Sequence, residues 1–218
     1  MLVSVCTSLK NAVPDMELGI IYCDVKNTPH DEKLWELIED KIDDLRKKYS
    51  INTIKERHPI RATREAYKKL GKDPSRYRPS AEALARRVLQ GKGLYRISTL
   101  VDIINLVSLD SGFSIGGFDA GKIEGDIVAT IGIENEPFEA IGRGQLNVGG
   151  LPVFRDEQGA IGTPTSDTVR TSISLDTSRV LMIINGYGGK EGVNDAVKLA
   201  SKLMEVHGDG KNFKTAFI

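Results

Sequence analysis

The chain has 218 residues, enough to bury a full hydrophobic core, and its 40% hydrophobic and 28% charged residues are typical of a globular protein. Thirty Lys and Arg balance thirty Asp and Glu, so the zero net charge argues against strong nonspecific binding to nucleic acid. No apolar run is long enough to span a membrane and the amino terminus does not have the pattern of a signal peptide, so we expect a cytoplasmic protein without a membrane partner.

The first fifty residues predict two strands and a helix. Residues 3–9 and 18–25 are apolar, short and bounded by turn residues, as strands are. Thr28, Pro29 and Asp31 are typical of a helix start, and apolar residues continue on one face to Tyr49. We expect Trp35 near that face to be a packing residue. The role of this segment, residues 1–54, is open.

The next segment is basic. Residues 41–96 contain 17 Lys and Arg against 6 Asp and Glu. Helices are predicted over residues 59–70 and 80–89, joined by a turn-rich connector over residues 73–79. Such a charged side can meet nucleic-acid phosphates, or its helix faces can simply be solvated. The candidate phosphate contacts are Arg61, Arg64, Arg76, Arg78, Arg86 and Arg87.

A strongly apolar helix follows over residues 99–111 and is expected in the core, with Gly112 ending it. Its polar residues Asp102, Asn105 and Ser108 recur every third position, and they either tie loops to the helix or reach a site. Gly116 and Gly117 then let the backbone approach another group closely, and Phe118 and Asp119 supply an aromatic anchor and a carboxylate. We list Asn105, Gly116, Gly117 and Asp119 as candidate substrate-binding residues.

Short strands separated by glycine turns are predicted between residues 126 and 161. Residues 162–177 then combine hydroxyls, one acid and one arginine. Asp167 with Thr165 and Ser166 can activate a water, which makes them the candidate catalytic residues, and Arg170, Thr171 and Ser172 can bind a substrate. The alternative is a polar loop in which Asp167 and the hydroxyls satisfy main-chain amides and Arg170 pairs with Asp167 or Asp119.

The end of the chain predicts a strand over residues 179–185, a covering helix over residues 193–204 and a polar tail in which His207 is exposed. Neither a nucleotide-binding glycine loop nor a metal-binding or serine-hydrolase motif is present, and the only cysteines, Cys6 and Cys23, form no CxxC pair. We therefore expect neither a cofactor nor a metal.

Two groups of residues carry a resemblance to a known family. Val101, Asp102, Asn105, Leu109, Gly112, Phe118 and Asp119 resemble the VD..N...L..G.P.H.FD pattern in the B3/B4 domain of bacterial phenylalanyl-tRNA synthetase beta subunits. Pro79, Glu82, Leu84, Arg86, Arg87 and Gly91 match a P.E.L.RR...G pattern that precedes it. The family histidine falls at Gly116, so its role has no counterpart here, and the segment 163–167 replaces the family's glycine-glycine-glutamate element.

The resemblance covers about residues 55–205 and implies a fold of the α/β (α+β) class. We predict a single B3/B4-type domain over residues 1–218, with a mixed or antiparallel sheet, a buried central helix and flanking helices. In the synthetase this domain hydrolyses tyrosine mischarged onto the phenylalanine tRNA. The resemblance thus implies tRNA, with an aminoacylated 3′ end, as the partner. It does not imply a complete synthetase, because the sequence has no motif of an ATP-binding catalytic domain.

Three hypotheses for function stay open. The first is a tRNA-binding, editing-type hydrolase that removes amino acids from mischarged tRNA. The second is a non-catalytic module that binds tRNA or an amino-acid-like ligand and has lost the editing activity together with the family histidine. The third is an unrelated small-molecule hydrolase, for which the uneven charge would be incidental.

Overall fold

The computed structural model describes residues 2–218. In this part of the chain there are six α-helices: α1 Thr7–Ala12, α2 Glu32–Lys48, α3 His58–Lys69, α4 Ser80–Leu89, α5 Thr99–Ser111 and α6 Val193–His207. The strands are β1 Val3–Val5, β2 Glu17–Asp24, β3 Ile115–Asp119, β4 Ile127–Ile131, β5 Glu139–Ala140, β6 Gly144–Gln145, β7 Pro152–Asp156, β8 Gly159–Thr163, β9 Ser166–Asp167, β10 Arg179–Gly186 and β11 Lys211–Phe217.

The strands form two larger sheets and a separate hairpin. One sheet is antiparallel in the order β11-β2-β10-β3, and β2 pairs with β10 over its whole length. The other has the order β1-β4-β7-β8-β9 and is mixed, because β1 runs parallel to β4. The short β5-β6 hairpin joins the end of β9 through a bridge between Ala140 and Thr168. This is the predicted α+β fold with mixed and antiparallel sheets, and the prediction is confirmed.

Strand β10 separates two parts of the core because successive side chains of a strand point to opposite faces. Val180 and Met182 pack with the helices, whereas Leu181 and Ile183 pack between the two sheets with Phe118. A strand buried on both faces has a continuous apolar sequence, which explains the unbroken run of residues 180–184.

Helix α5 is buried, as predicted. Leu100, Ile103 and Val107 are fully inaccessible. Its buried acid, Asp102, accepts a hydrogen bond from Trp35 Nε1 at 2.7 Å, so Trp35 packs against α5 and gives the carboxylate a donor. Gly112 ends the helix in the left-handed conformation, with φ of 83°.

Both ends of the chain differ from the sequence-based expectation. The first strand stops at Val5 because the Sγ of Cys6 accepts the main-chain N–H of Leu9 and begins α1 instead. The expectation of an exposed His207 is wrong, since its side chain is 7% exposed and its Nδ1 lies 2.9 Å from Oδ2 of Asp31. The polar tail that follows is an edge strand, β11, paired with β2. Within the described residues, no helix combines the length and the apolar character that crossing a membrane requires.

Candidate functional site

A cavity of about 610 Å³ lies where α5, β3, β8 and β9 meet. Its lining includes the apolar residues Val101, Ile104, Ile115 and Ile173, together with polar residues and the backbone of Gly117. The polar residues are Ser80, Asn105, Ser108, Arg143, Thr163, Thr165, Ser166, Asp167 and Ser172. An apolar cavity with a few convergent polar groups is the usual form of a small-molecule site. A cavity of about 320 Å³ between β1 and β11 has no carboxylate in its lining.

The two segments singled out in the sequence meet at this cavity. The main-chain N–H of Gly117, on β3, donates a hydrogen bond of 3.0 Å to Oδ2 of Asp167, on β9. Gly117 itself is crowded by Ile104, whose Cδ1 would lie 2.3 Å from an added Cβ. A residue with a side chain at position 117 would therefore push Ile104 away from its place in the cavity lining.

The other carboxylate oxygen of Asp167 has no donor. Oδ1 is inaccessible and has no hydrogen-bond partner among the described residues. An added Cβ would lie 2.5 Å from Oδ1 at Gly162 and 3.6 Å from it at Gly116. Both glycines also face the Phe118 ring, which an added Cβ would approach within 2.8 Å. Oδ1 of the carboxyl group thus lies among glycine backbones and an aromatic ring, away from solvent, whereas the residue as a whole is half-buried.

Burial raises the pKa of Asp167 to about 7, and the single hydrogen bond from Gly117 only partly opposes this rise. At neutral pH the carboxyl group is therefore divided between its charged and neutral forms. A carboxyl group with this pKa can accept a proton near neutral pH and give it up again, as a general base must.

A side chain at Gly116, where the resemblance would place a histidine, would be crowded. At Gly116 an added Cβ would meet the Phe118 ring at 2.8 Å and 2.9 Å. A histidine at this position would thus have to displace a fully buried aromatic residue of the core. The acid of the site, Asp167, comes from a different strand.

The two predicted catalytic hydroxyls, those of Thr165 and Ser166, differ in how firmly hydrogen bonds hold them. The hydroxyl of Thr165 donates to the carbonyl oxygen of Tyr77 at 3.0 Å and accepts from the hydroxyl of Tyr67 at 2.8 Å, so it ties α3 and the connector to the cavity. Ser166 is half-buried, and its hydroxyl donates to the carbonyl oxygen of Asp167 at a longer 3.3 Å. Of the two, Ser166 has the hydroxyl that can turn toward a ligand.

Asp119 and Arg170, two predicted substrate-binding residues, lie outside the cavity lining. The Asp119 carboxylate accepts hydrogen bonds from Thr177 at 2.8 Å and from the main-chain N–H of Gly121 at 2.9 Å. Arg170 makes a bidentate pair with Asp156 at 2.7 Å and 2.9 Å. Both side chains hold neighbouring loops in place, and Arg170 pairs with Asp156 instead of with Asp167 or Asp119.

Two further members of the predicted set have packing positions. Thr171 is fully buried, and its main-chain oxygen accepts the N–H of Asp119 at 2.9 Å. Gly116 lies beneath the cavity between Phe118 and Asp167. Asn105, Gly117 and Ser172 line the cavity, and their role in binding a substrate stays a prediction.

The predicted phosphate contacts are largely engaged within the fold. Arg64 and Arg86 both bond to the buried Glu82 at 2.8 Å, and Arg78 lies 3.9 Å from the same carboxylate. Arg61 lies 3.9 Å from Glu65 on α3, Arg76 covers the ring of Tyr77, and Arg87 covers the ring of Tyr95. Tyr77 is buried, so its ring is not available to stack on a base. The role of these arginines toward tRNA stays a prediction.

Sequence reasoning missed Tyr95 and Arg143, which both line the cavity. Arg143 stands between Gly142 and Gly144, a pattern that indicates only a turn. Gly162 was seen only as the start of a polar segment, although its missing side chain makes room for Asp167. Among residues 2–218, no group of three or more His, Cys, Asp or Glu side chains is placed to hold a metal ion.

The tight packing around Asp167 can be tested by adding a methyl group at Gly162. We expect Gly162→Ala to lower the free energy of unfolding by about 1–3 kcal/mol, because the new methyl group overlaps Asp167 and Phe118. Urea denaturation at pH 7 measures the change. Gly121→Ala is the control, since its added Cβ meets one atom at 3.2 Å and should cost less. Equal losses in the two variants would contradict the tight packing at Gly162.

The fold and the site together define an α+β domain that carries a ligand-sized cavity with one buried acid. Residues 62–204 match the model of the B3/4 domain family, described as "B3/4 domain", and the chain belongs to that family. Among its relatives are the phenylalanine–tRNA ligase beta subunits of Bartonella henselae and Zymomonas mobilis. The first is 35% identical over 96 residues, and the second is 37% identical over 82 residues.

These alignments cover 43% and 37% of this chain, but only 12% and 10% of the ligase subunits. The chain therefore corresponds to a small part of those relatives. A crystal structure of an N-terminal fragment of the phenylalanyl-tRNA synthetase beta subunit from Pyrococcus horikoshii has a similar fold. The TM-score is 0.50 at 16% identity, over 97% of this chain and 50% of that one.

Proposed function

We propose that this chain is a cytoplasmic deacylase that hydrolyses the ester of mischarged aminoacyl-tRNA. The observation that supports the proposal most directly is Asp167, a carboxyl group with a pKa of about 7 in the lining of a cavity of about 610 Å³. Membership of the B3/4 family and the tRNA ligase relatives give the substrate class. A lone acid in an apolar cavity suits hydrolysis, which needs only water, a base and groups that orient the ester.

The reaction follows from the positions of the polar groups. Asp167 in its charged form takes a proton from a water molecule through Oδ2, and the water oxygen forms a bond to the ester carbonyl carbon. The bond between that carbon and the 3′ oxygen of the tRNA then breaks, and the proton passes from Asp167 to the departing oxygen. Asn105 and Ser166 lie in the same lining and orient the amino acid and its carbonyl group.

The apolar wall sets the acceptable amino acid. Ile104, Ile115 and Ile173 face the space next to Asp167, and no cation other than Arg143 is present among the described residues that line the cavity. An acidic side chain packed against these isoleucines would be desolvated and would lie close to the carboxylate of Asp167, so we expect uncharged amino acids to be preferred.

A panel of aminoacyl-tRNAs tests the proposal. Mischarged tyrosyl-tRNA and other aminoacyl-tRNAs are incubated with the wild type and with Asp167→Ala, and the remaining ester is measured over time. We expect at least one ester to be lost faster than in buffer with the wild type and at the buffer rate with the variant. Loss at the buffer rate with both proteins across the panel would refute catalysis and favour a binding module.

A further inference from the structure

Arg143 lines the same cavity as Asp167 and is exposed. No acid in the described part of the chain forms an ion pair with it. Other arginines of the chain are paired within the fold, since Arg64 and Arg86 pair with Glu82, and Arg170 pairs with Asp156. An unpaired guanidinium at the edge of a binding cavity is available to an anionic group of a ligand.

The backbone holds Arg143 at a defined place relative to Asp167. The main-chain N–H of Arg143 donates to the carbonyl oxygen of Ala140 at 3.1 Å, which closes a turn with Gly142 in the left-handed conformation. In the same turn, the N–H of Ile141 donates to the main-chain oxygen of Asp167 at 3.0 Å. The hairpin and the strand that carries the acid are therefore joined by hydrogen bonds, and the cation is not on a free loop.

Tyr95 adds an aromatic surface to the same cavity. Its side chain is 65% exposed, although the guanidinium of Arg87 lies 3.9 Å from the centre of its ring. Arg87 is fixed in turn by a hydrogen bond of 2.8 Å to the carbonyl oxygen of Gly93. A ring supported on one face by a cation and open elsewhere is a suitable platform for a nucleobase.

We propose that Tyr95 and Arg143 form the nucleotide-binding part of this site, Tyr95 stacking on the terminal base and Arg143 pairing with the adjoining phosphate. This assignment rests on the proposed deacylase function and makes Tyr95 and Arg143 positioning residues for the ester. The apolar cavity takes the amino acid, while the exposed ring and the cation bind the part of the ligand that stays in water. Neither residue belongs to the basic helices from which the sequence predicted tRNA contacts.

Two stable probes separate the base from the phosphate. They are 3′-(L-tyrosylamino)-3′-deoxyadenosine, whose amide bond resists hydrolysis, and the same compound with a 5′-phosphate. Binding of both is measured by calorimetry to the full chain. We expect Arg143→Ala to weaken the phosphorylated probe about tenfold and leave the other unchanged, because only the phosphate contact is lost. Tyr95→Leu is expected to weaken both probes about tenfold, and Tyr95→Phe to restore them.

Salt and a distant arginine provide the controls. Binding of the phosphorylated probe to the wild type should weaken with salt, and Arg143→Ala should reduce that dependence. Arg179→Ala, at the start of β10 and outside the cavity lining, should change neither probe. Equal effects of Arg143→Ala on both probes, or no discrimination by the wild type, would overturn the assignment. If the probes behave as expected while no ester is hydrolysed, the deacylase proposal fails and the nucleotide site stands.

Discussion

Asp167→Asn is expected to lower ester hydrolysis at least 100-fold, because removal of a general base typically costs this factor or more. The amide has nearly the shape of the carboxyl group and can still accept the N–H of Gly117, so the cavity should keep its form. The activity of the wild type should rise with pH through about 7, where the carboxyl group loses its proton. Single-turnover hydrolysis between pH 5.5 and 8.5 measures both effects.

The same substitution is expected to stabilise the folded chain at high pH. The pKa of Asp167 is about 7 in the folded chain and 3.8 for an unperturbed carboxyl group, so between these values the folded state binds more protons than the unfolded state. The free energy of unfolding of the wild type therefore falls as pH rises through this window, by about 4 kcal/mol at most. Asparagine does not titrate, and this loss disappears in the variant.

Urea denaturation at pH 5 and pH 8.5 compares the two proteins. Asp156→Asn is the matched control because its shift has the opposite sign. Burial acts to raise the pKa of Asp156, but hydrogen bonds from Arg170 and from main-chain amides hold it below its usual value. That variant should lose stability to a similar extent at pH 5 and pH 8.5, because the carboxylate of Asp156 is charged at both. A wild-type stability that does not fall from pH 5 to pH 8.5 relative to Asp167→Asn would refute the raised pKa.

The sequence predicted the core elements well because their signals are local. Helix α5 is apolar apart from a narrow polar stripe, strand β10 has a continuous apolar run, and both elements are largely buried. Strand β11, in contrast, has no clear local signal in the sequence. Most of β11 is exposed and its apolar residues do not alternate clearly, so only pairing with a distant strand makes it a strand. His207 and Asp31 are also far apart in the sequence, so no local pattern could predict the contact between their side chains.

The sequence singles out Asp167 as a candidate acid, but it does not show which charged groups surround the site after folding. Asp167 and Gly117 were singled out because an acid among hydroxyls and a glycine pair are unusual in sequence. Whether an arginine is free depends on which acid lies near it after folding. Arg170 is paired with Asp156, whereas Arg143 has no ion pair among the described residues, although both are single cations in polar segments of the sequence.

Glu82→Ala is expected to lower the free energy of unfolding by about 3–5 kcal/mol. The carboxylate of Glu82 is 1% exposed and accepts hydrogen bonds from Arg64 on α3 and Arg86 on α4, both at 2.8 Å. Removing it leaves two partly buried guanidinium groups facing each other without an anion, which is far more costly than losing an exposed pair. Urea denaturation at pH 7 gives the change in the free energy of unfolding.

Glu65→Ala is the control, since Glu65 is exposed and lies 3.9 Å from Arg61 on the same helix. Its removal should cost less than about 1 kcal/mol. Arg64 can be tested in the same way as a structural or a tRNA-binding residue. If its role is to pair with Glu82, Arg64→Ala should destabilise the fold without changing the salt dependence of tRNA binding. A reduced salt dependence at unchanged stability would instead place Arg64 at the phosphates, since each lost phosphate contact lowers that dependence by about one ion.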